Sequence, residues 1–341
     1  MRYQSGLSLA LLSWPLALAA DRTAKVEALL APFGPGEPSV SVAIIEDGKR
    51  TAFSRGMADL ETRTRATTAT NYRLASLTKQ FTATAILLLA RDGTLRLDQT
   101  IDQFLPQFPD YAKSITIRHL LTHTGGLWDY EDLIPASQKT AFKDAEAVRF
   151  SSTHATPYFA AGSKFKYSNT GYAALSEIVR MASGIRFGEF LRTRVFDPLG
   201  MKGTVAFEEG VNSVGNRAYG YTESKRTDQD ITSSVLGDGG IYSSIDDLAK
   251  WNAALDGAAL LPREVLDEAA KAGPLNKQYG YGWFVDPYKN ERRHWHSGET
   301  IGFRNAIQRF PDRKLVVIVL SNRAGLDARK LSLDLADLYL Q

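Results

Sequence analysis

The sequence predicts an α+β fold, in which an antiparallel sheet formed from both chain ends and flanked by helices carries an inserted, mostly helical lobe. Strand-like segments occur near both ends of the chain, a buried helix follows the first of them, and further helical segments lie between. Strands at both ends of a chain with helices between them indicate one shared sheet with a lobe packed against it. We therefore predict a sheet lobe at about 20–74 and 240–341, a helical lobe at about 75–239, and a groove between them.

The first twenty residues differ in composition from the rest of the chain. Arg2 precedes an apolar run that is shorter than the roughly 20 residues a membrane-spanning helix needs, and the run ends in Ala17-Leu18-Ala19. This pattern is typical of a cleaved signal peptide, with an uncleaved tether as the alternative. We expect residues 1–19 to be removed and a single domain at 20–341 to be exported to the periplasm or secreted, without an integral membrane span after cleavage.

The N-terminal half of the chain shows a hairpin followed by a buried helix. After a short helix from Asp21 to Leu30, an apolar strand is predicted at Ser39 to Glu46, and Asp47-Gly48 is typical of a hairpin turn into a second strand at Thr51 to Met57. Residues 76–91 are apolar on nearly every side, which indicates a helix buried in the core.

The remaining elements follow from the same hydrophobic periodicities. Helices are predicted at 171–182, 186–195 and 245–255, strands at 281–285, 302–310 and 315–320, and a closing helix at 327–340.

Charge and composition exclude several functions. A net charge of +3 gives no reason to expect a nucleic-acid partner, and the absence of cysteine excludes disulfides and thiolate chemistry. His119 and His123 have helical spacing and His294 and His296 have strand spacing, but neither pair belongs to a metal-binding motif. We therefore expect no metal, no cofactor, and a small-molecule or peptide substrate, and the oligomeric state stays open.

Ser76-Leu77-Thr78-Lys79 is the first candidate catalytic motif. Residues i and i+3 share one face of a helix, so the Lys79 ammonium is predicted to lie beside the Ser76 hydroxyl. A serine needs a neighbouring base to become nucleophilic, and the free N–H groups of a helix N-terminus can stabilise an oxyanion. Ser163-Lys164-Phe165-Lys166 has the same spacing but lies in a polar loop, so we set it aside.

Two further motifs complete the candidate site. Tyr167-Ser168-Asn169 offers a phenol that could exchange a proton with Ser76, and an amide that could hold Lys79 and a substrate carbonyl. His296-Ser297-Gly298 opens a strand-like stretch, in which Gly298 would let a substrate approach the backbone and the N–H of Glu299 would be a second oxyanion donor.

In this order and on these elements, the three motifs resemble those of the serine β-lactamases, DD-peptidases and related esterases, closest to the class C branch. The resemblance covers essentially 21–341 and includes Leu120-Leu121-Thr122-His123-Thr124-Gly125-Gly126-Leu127, a structural signature of that branch. It implies an acyl-enzyme mechanism in which Ser76 attacks a carbonyl, Lys79 and Tyr167 move the proton, and the N–H groups of Ser76 and Glu299 hold the oxyanion. Which of Lys79 and Tyr167 is the formal base stays open.

The chain departs from many β-lactamases of this family, which have lysine at the position of His296. Because histidine is mostly neutral at pH 7, it anchors a substrate carboxylate less well than an ammonium does. We therefore expect an esterase or a DD-peptidase-like enzyme. A class C-type β-lactamase and a non-catalytic protein that binds penicillin or cell-wall peptides are the alternatives. Ser297 and Gly298 are predicted to contact the substrate, and Arg329 is a candidate anchor for a substrate carboxylate.

Overall fold

The structure is a computed structural model that describes residues 13–273, 275 and 278–340, with the backbone alone for residues 13–20. The strands are β1 (Val40–Glu46), β2 (Lys49–Arg55), β3 (Met57–Asp59), β4 (Thr64–Arg65), β5 (Tyr72–Arg73), β6 (Val205–Ala206), β7 (Tyr221–Thr222), β8 (Lys225–Arg226), β9 (Ile241–Ser243), β10 (Phe284–Tyr288), β11 (Glu291–Thr300), β12 (Phe303–Phe310) and β13 (Leu315–Ser321). The helices are α1 (Ser13–Leu30), α2 (Lys79–Arg91), α3 (Ile117–Leu121), α4 (Asp144–Ser152), α5 (Asn169–Ser183), α6 (Phe187–Leu191), α7 (Leu236–Gly239), α8 (Ile245–Gly257), α9 (Arg263–Ala269) and α10 (Ala328–Asp337).

The main sheet joins the two ends of the chain, as predicted. It has six strands in the order β10-β11-β12-β13-β1-β2, and all of its pairings are antiparallel. β1 lies between β13 and β2, and its register runs from Val40↔Ser321 to Glu46↔Leu315. The predicted hairpin turn is confirmed, since Asp47 and Gly48 both adopt the positive φ angles that such a two-residue turn requires.

Each face of the sheet packs against helices, because alternate residues of a strand point to opposite faces. On one face, residues of β1 and β13 pack with α1 and α10 in a cluster that includes Val42, Val319 and Leu335. On the other face, Ala43 and Ile318 belong to the larger core that also contains the helical lobe. The sheet is therefore covered on both sides, and the helical lobe lies on one of them.

The helical lobe is organised around α2. Every residue of this helix from Lys79 to Leu89 is buried, which agrees with the apolar pattern of the sequence. A 3₁₀ turn at Ala75–Thr78 leads into the helix, so the predicted helix begins with a tighter turn that carries Ser76. α5 and α7 pack beside α2 and bring the segments around 169 and 238 to the same end of it.

Two predictions concern the N-terminal segment and the absence of a membrane span. The predicted signal segment at 1–19 lies outside the described residues up to position 12, and α1 begins at Ser13. Among the helices of the described part, none has both the length and the apolar character that crossing a bilayer requires.

Candidate active site

Ser76 lies on the 3₁₀ turn at the N-terminal end of α2. Its neighbours Ala75 and Leu77 are buried, whereas Ser76 is partly open to a pocket. Ala75 has a φ angle of +51°, a left-handed conformation that costs a non-glycine residue free energy and that is found mainly at functional sites. The hydrogen bond from the Leu74 N–H to the carbonyl oxygen of Ile241 (2.8 Å) fixes the segment that precedes the turn.

Lys79 occupies the centre of the site and is completely buried. Its ammonium donates to the hydroxyl oxygen of Ser76 (3.0 Å), to the side-chain oxygen of Asn169 (2.8 Å) and to the carbonyl oxygen of Asp238 (3.0 Å). An ammonium has three hydrogens, so all of its donors have partners. The structure therefore places the first two sequence-predicted partners of Lys79 in direct contact with it.

Asn169 is the first residue of α5, and hydrogen bonds hold both its backbone and its side chain. Ser168 caps this helix by accepting from the N–H of Gly171 (3.2 Å), and the Asn169 N–H donates to Asp129 (2.7 Å). The Asn169 amide nitrogen donates to Glu131 (3.0 Å), which fixes the side-chain oxygen toward Lys79.

Tyr167 lies beside the same ammonium. The Nζ atom of Lys79 is 4.9 Å from the centre of the Tyr167 ring, and the Tyr167 hydroxyl is buried without a hydrogen-bond partner among the described residues. A buried polar group without a partner is uncommon in folded proteins and is a feature of reactive sites. The free hydroxyl is available for proton exchange with a bound substrate or with Ser76.

His296 lies in the middle of β11, behind Tyr167. Its Nδ1 donates to the carbonyl oxygen of Ser297 (2.6 Å), and its Nε2 accepts from the hydroxyl of Tyr279 (3.1 Å). Burial, together with the charge of Lys79, lowers the pKa of His296 to about 3, so the ring is neutral at pH 7. Both ring nitrogens are thus engaged within the protein.

Glu299 and Ser76 line the same small pocket of about 50 Å³. Their role as a pair of oxyanion donors stays a prediction. β10 pairs with β11 only as far as Trp295, so the stretch of β11 that carries Ser297 and Glu299 has no strand partner on that edge within the described residues.

Gly298 has a packing role that the sequence analysis did not predict. A Cβ atom at this position would lie 2.0 Å from the carbonyl oxygen of Leu74 and 2.9 Å from a methyl carbon of Leu77. The missing side chain therefore lets β11 pack against the segment that carries Ser76. Close approach of a substrate to this backbone stays a prediction.

The prediction that Arg329 anchors a substrate carboxylate is also wrong. Its guanidinium is exposed on α10 and lies 4.1 Å from the centre of the Trp295 ring. Trp295 and His296 are consecutive residues of β11 and point to opposite faces of the sheet. Arg329 therefore lies behind the sheet, away from Ser76.

Buried carboxylates near Lys79 are the part of the site that the sequence analysis missed. Asp238 is buried, accepts a hydrogen bond from the Tyr130 hydroxyl (2.7 Å) and lines the pocket with Glu131. Burial raises the pKa of Asp238 to about 7, while the charge of Lys79 opposes the shift. Desolvation, followed by the charge of Asp129, also raises the pKa of Glu131, although much of its side chain is solvent-accessible. The one available signal was an acidic residue among the glycines of Gly237-Asp238-Gly239-Gly240.

A further buried carboxylate, Asp144, supports the segment that contains Asp238. Its oxygens accept from the N–H groups of Leu236 and Gly237 (both 2.8 Å) and from the Ser176 hydroxyl (2.7 Å). Burial raises the pKa of Asp144 to about 6. Asp144 thus fixes the start of α7, whose carbonyl at Asp238 accepts from Lys79.

The histidines and carboxylates do not form a metal site. Within the described ranges, no group of three or more His, Cys, Asp or Glu residues is arranged to hold a metal ion.

Comparison with known protein families shows to which family the chain belongs. The family described as Beta-lactamase matches residues 24–340 of the chain. The chain belongs to the beta-lactamase family. The resemblance inferred from the three motifs is therefore confirmed, and the α+β fold is that of β-lactamases and penicillin-binding proteins.

Curated members of the beta-lactamase family similar to this chain include peptidases and penicillin-binding proteins. Penicillin-binding protein 4* of Bacillus subtilis is 30% identical over 293 residues, covering 79% of this chain and 64% of that protein. A D-aminopeptidase of Brucella anthropi is 28% identical over 302 residues, covering 84% of this chain and 56% of that protein. The chain thus spans a little over half of the length of these relatives.

Solved structures of the family superpose over nearly the whole chain. The D-amino acid amidase of Ochrobactrum anthropi SV3, complexed with L-phenylalanine, has a TM-score of 0.80 and 26% identity, covering 94% of this chain and 97% of that one. The octameric penicillin-binding protein homologue of Pyrococcus abyssi has the same TM-score and identity, covering 94% of this chain and 77% of that one.

Proposed function

We propose that the protein is a serine hydrolase that forms an acyl-enzyme at Ser76 and cleaves amides or short peptides whose scissile carbonyl lies next to a free amino group. The acidic lining of the pocket carries this proposal. Of the residues that line it, Glu131, Asp238 and Glu299 are acidic and Arg73 is basic. The Arg73 guanidinium keeps its charge but is held by the carbonyl oxygen of Ser233 (3.0 Å). Because three acidic side chains stand against this one basic side chain, the lining favours a substrate with a positive charge.

The contacts around Lys79 support the following mechanism. The pair is ready to act as a base once it has lost one proton to solvent, as a phenolate beside an ammonium or as a phenol beside an amine. Ser76 then attacks the carbonyl carbon, its proton passes to the Lys79–Tyr167 pair, and the N–H groups of Ser76 and Glu299 hold the oxyanion. The pair returns the proton to the leaving amine, and water then releases the acyl group from Ser76 by the reverse sequence. Asn169 keeps the ammonium aligned with the nucleophile throughout, because its oxygen accepts from Lys79 at 2.8 Å.

Two observations support an amide or peptide substrate over a penicillin. His296 is neutral and buried, and Arg329 lies behind the sheet, so neither offers a cation to the carboxylate that penicillins carry. Among the relatives, the D-aminopeptidase and the D-amino acid amidase are named for substrates with D-configured amino acids. We extend that configuration to this chain as part of the proposal.

A four-substrate panel tests the proposal with purified protein. D-alanine p-nitroanilide should be hydrolysed faster than its L-enantiomer, and faster than nitrocefin. Acetylation of the amino group removes a charge-assisted hydrogen bond worth about 1.5–3 kcal/mol, so kcat/KM should fall by about one to two decades for N-acetyl-D-alanine p-nitroanilide.

Glu131→Gln should reduce the discrimination between the free and the acetylated substrate, and Ser76→Ala provides the inactive control. Equal or faster hydrolysis of the acetylated compound, or a preference for nitrocefin, would refute the proposed substrate class.

Export is a separate part of the proposal, and the apolar N-terminal segment that ends in Ala17-Leu18-Ala19 supports it. N-terminal sequencing of the protein recovered outside the cytoplasm should begin near Ala20. A mature chain that begins at Met1 in the cytoplasm would reject it.

A further inference from the structure

His123 accepts hydrogen bonds from both chain neighbours of Tyr167. Its carbonyl oxygen accepts from the N–H of Lys166 (3.0 Å), and its ring Nδ1 accepts from the N–H of Ser168 (3.1 Å). The single residue between these two hydrogen bonds is Tyr167. One side chain and one carbonyl, both from the Leu120–Leu127 signature, therefore hold the segment that presents the phenol.

The His123 ring also contacts the Tyr167 ring directly. The two ring centres are 4.3 Å apart, whereas the rings of Tyr279, His296 and Phe284 lie at 6.1, 6.2 and 6.4 Å from Tyr167. Aromatic pairs at such separations are attractive and restrict the position of each ring. Because the Tyr167 hydroxyl has no hydrogen-bond partner in the described chain, the ring depends on its backbone and its ring neighbours for its position.

Two features of His123 are unfavourable for the stability of the fold, and a purely structural residue would not need either. Its ring is 2% exposed, and because Nδ1 is an acceptor, Nε2 bears the hydrogen. That N–H is buried and has no hydrogen-bond partner among the residues that the structure describes, which is an unfavourable arrangement for any donor. The backbone also adopts a left-handed conformation, with φ at +56°, which histidine and asparagine tolerate better than most residues.

The neutral state of the ring suits this position. Burial, followed by the charge of Lys79, lowers the pKa of His123 well below its usual value. A neutral imidazole can therefore pack against Tyr167 without placing a second positive charge beside Lys79.

We propose that His123 is a positioning residue, which holds the Tyr167 ring beside Lys79 so that its hydroxyl can exchange a proton with Ser76 or with a bound substrate. The inference rests on the proposed function, in which Tyr167 takes part in that transfer. His123 acts through Tyr167 and has no contact with the substrate in this proposal.

Two substitutions separate the two contacts of His123. His123→Asn tolerates the backbone conformation and keeps an acceptor for the Ser168 N–H, but it removes the ring. His123→Phe keeps a ring against Tyr167, but it removes the acceptor. Each variant should lower kcat for D-alanine p-nitroanilide and the rate of labelling by a fluorophosphonate probe by about 10–100-fold, because a misplacement of about 1 Å costs that much. KM should change by less than about threefold.

A double-mutant cycle with Tyr167→Phe distinguishes positioning from general damage. If His123 acts through Tyr167, then adding His123→Asn to Tyr167→Phe should slow labelling by less than about twofold. His119→Asn is the matched control, since His119 belongs to the same segment but bonds to Thr116, and it should retain activity within about twofold.

The following outcomes would overturn the inference. One is activity within twofold of wild type in both His123 variants. Another is the same fold loss in the wild-type and Tyr167→Phe backgrounds, and a third is failure of both variants to fold, measured by circular dichroism. Full activity of the Tyr167→Phe single variant would reject the proton-transfer role of Tyr167, and the inference about His123 would fail with it. This failure can be told apart from the others because it is seen without any His123 variant.

Discussion

Gly298→Ala should disrupt the contact between β11 and the turn that carries Ser76. The added methyl would lie 2.0 Å from the carbonyl oxygen of Leu74, and ordinary contacts of a Cβ atom begin near 3.4 Å. The strand and the turn must therefore separate by about 1 Å or more. Forcing extra atoms into a packed core costs about 1–3 kcal/mol, and a displacement of that size at a catalytic group costs about 10²-fold in rate. We expect both losses.

Gly257→Ala is the matched control for this variant. Gly257 lies at the end of α8, and an added Cβ atom would meet nothing within 4 Å, so alanine there should be neutral or slightly stabilising. Thermal unfolding and kcat/KM for D-alanine p-nitroanilide should be measured for both variants. If Gly298→Ala keeps the wild-type melting temperature and the wild-type kcat/KM, the argument from the close contact is refuted.

Three further predictions follow from the geometry of the site. Ser76→Ala should abolish hydrolysis and fluorophosphonate labelling without lowering the melting temperature, and an adduct mapped by mass spectrometry to another serine would contradict the assignment of the nucleophile. His296→Lys should lower the melting temperature, because it buries an ammonium near Lys79 in surroundings that already lower the pKa of His296 to about 3; an unchanged melting temperature would show that the ammonium finds a partner or solvent. Asp238→Asn should stabilise the protein at pH 8 but not at pH 4. The folded pKa of Asp238, about 7, exceeds its unfolded value, so stability falls as pH rises between the two by about 1.4 kcal/mol per unit of difference; urea titrations that give equal differences at both pH values would contradict this sign.

The sequence predicted the parts of the molecule that depend on local pattern and chain order. The Asp47-Gly48 turn, the buried helix after Ser76 and the shared sheet follow from periodicity and turn chemistry, and the structure has all three. The contact of Lys79 with Ser76 follows from helical spacing. Its contact with Asn169, ninety positions away along the chain, was predicted from the amide of the Tyr167-Ser168-Asn169 motif.

The remaining features depend on contacts that no local pattern encodes. Asp144 and Asp238 have unusual pKa values because the folded chain buries them, and apart from the glycines around Asp238 nothing in their immediate sequence indicates that burial. The predicted role of Arg329 was wrong because the periodicity of a strand shows which residues share a face of the sheet. It does not show which face packs against the helical lobe. The role of Gly298 depends on Leu74, which is more than two hundred residues away.

The position of β1 in the sheet has a consequence for biosynthesis. Val40 pairs with Ser321, so one edge of β1 stays empty until the ribosome has made β13, more than two hundred residues later. A nascent chain that ends before Leu315 would expose an apolar strand edge, which is a template for aggregation, and proteins dominated by such distant pairings fold slowly. The same pairing that stabilises the folded protein would thus delay its folding during synthesis.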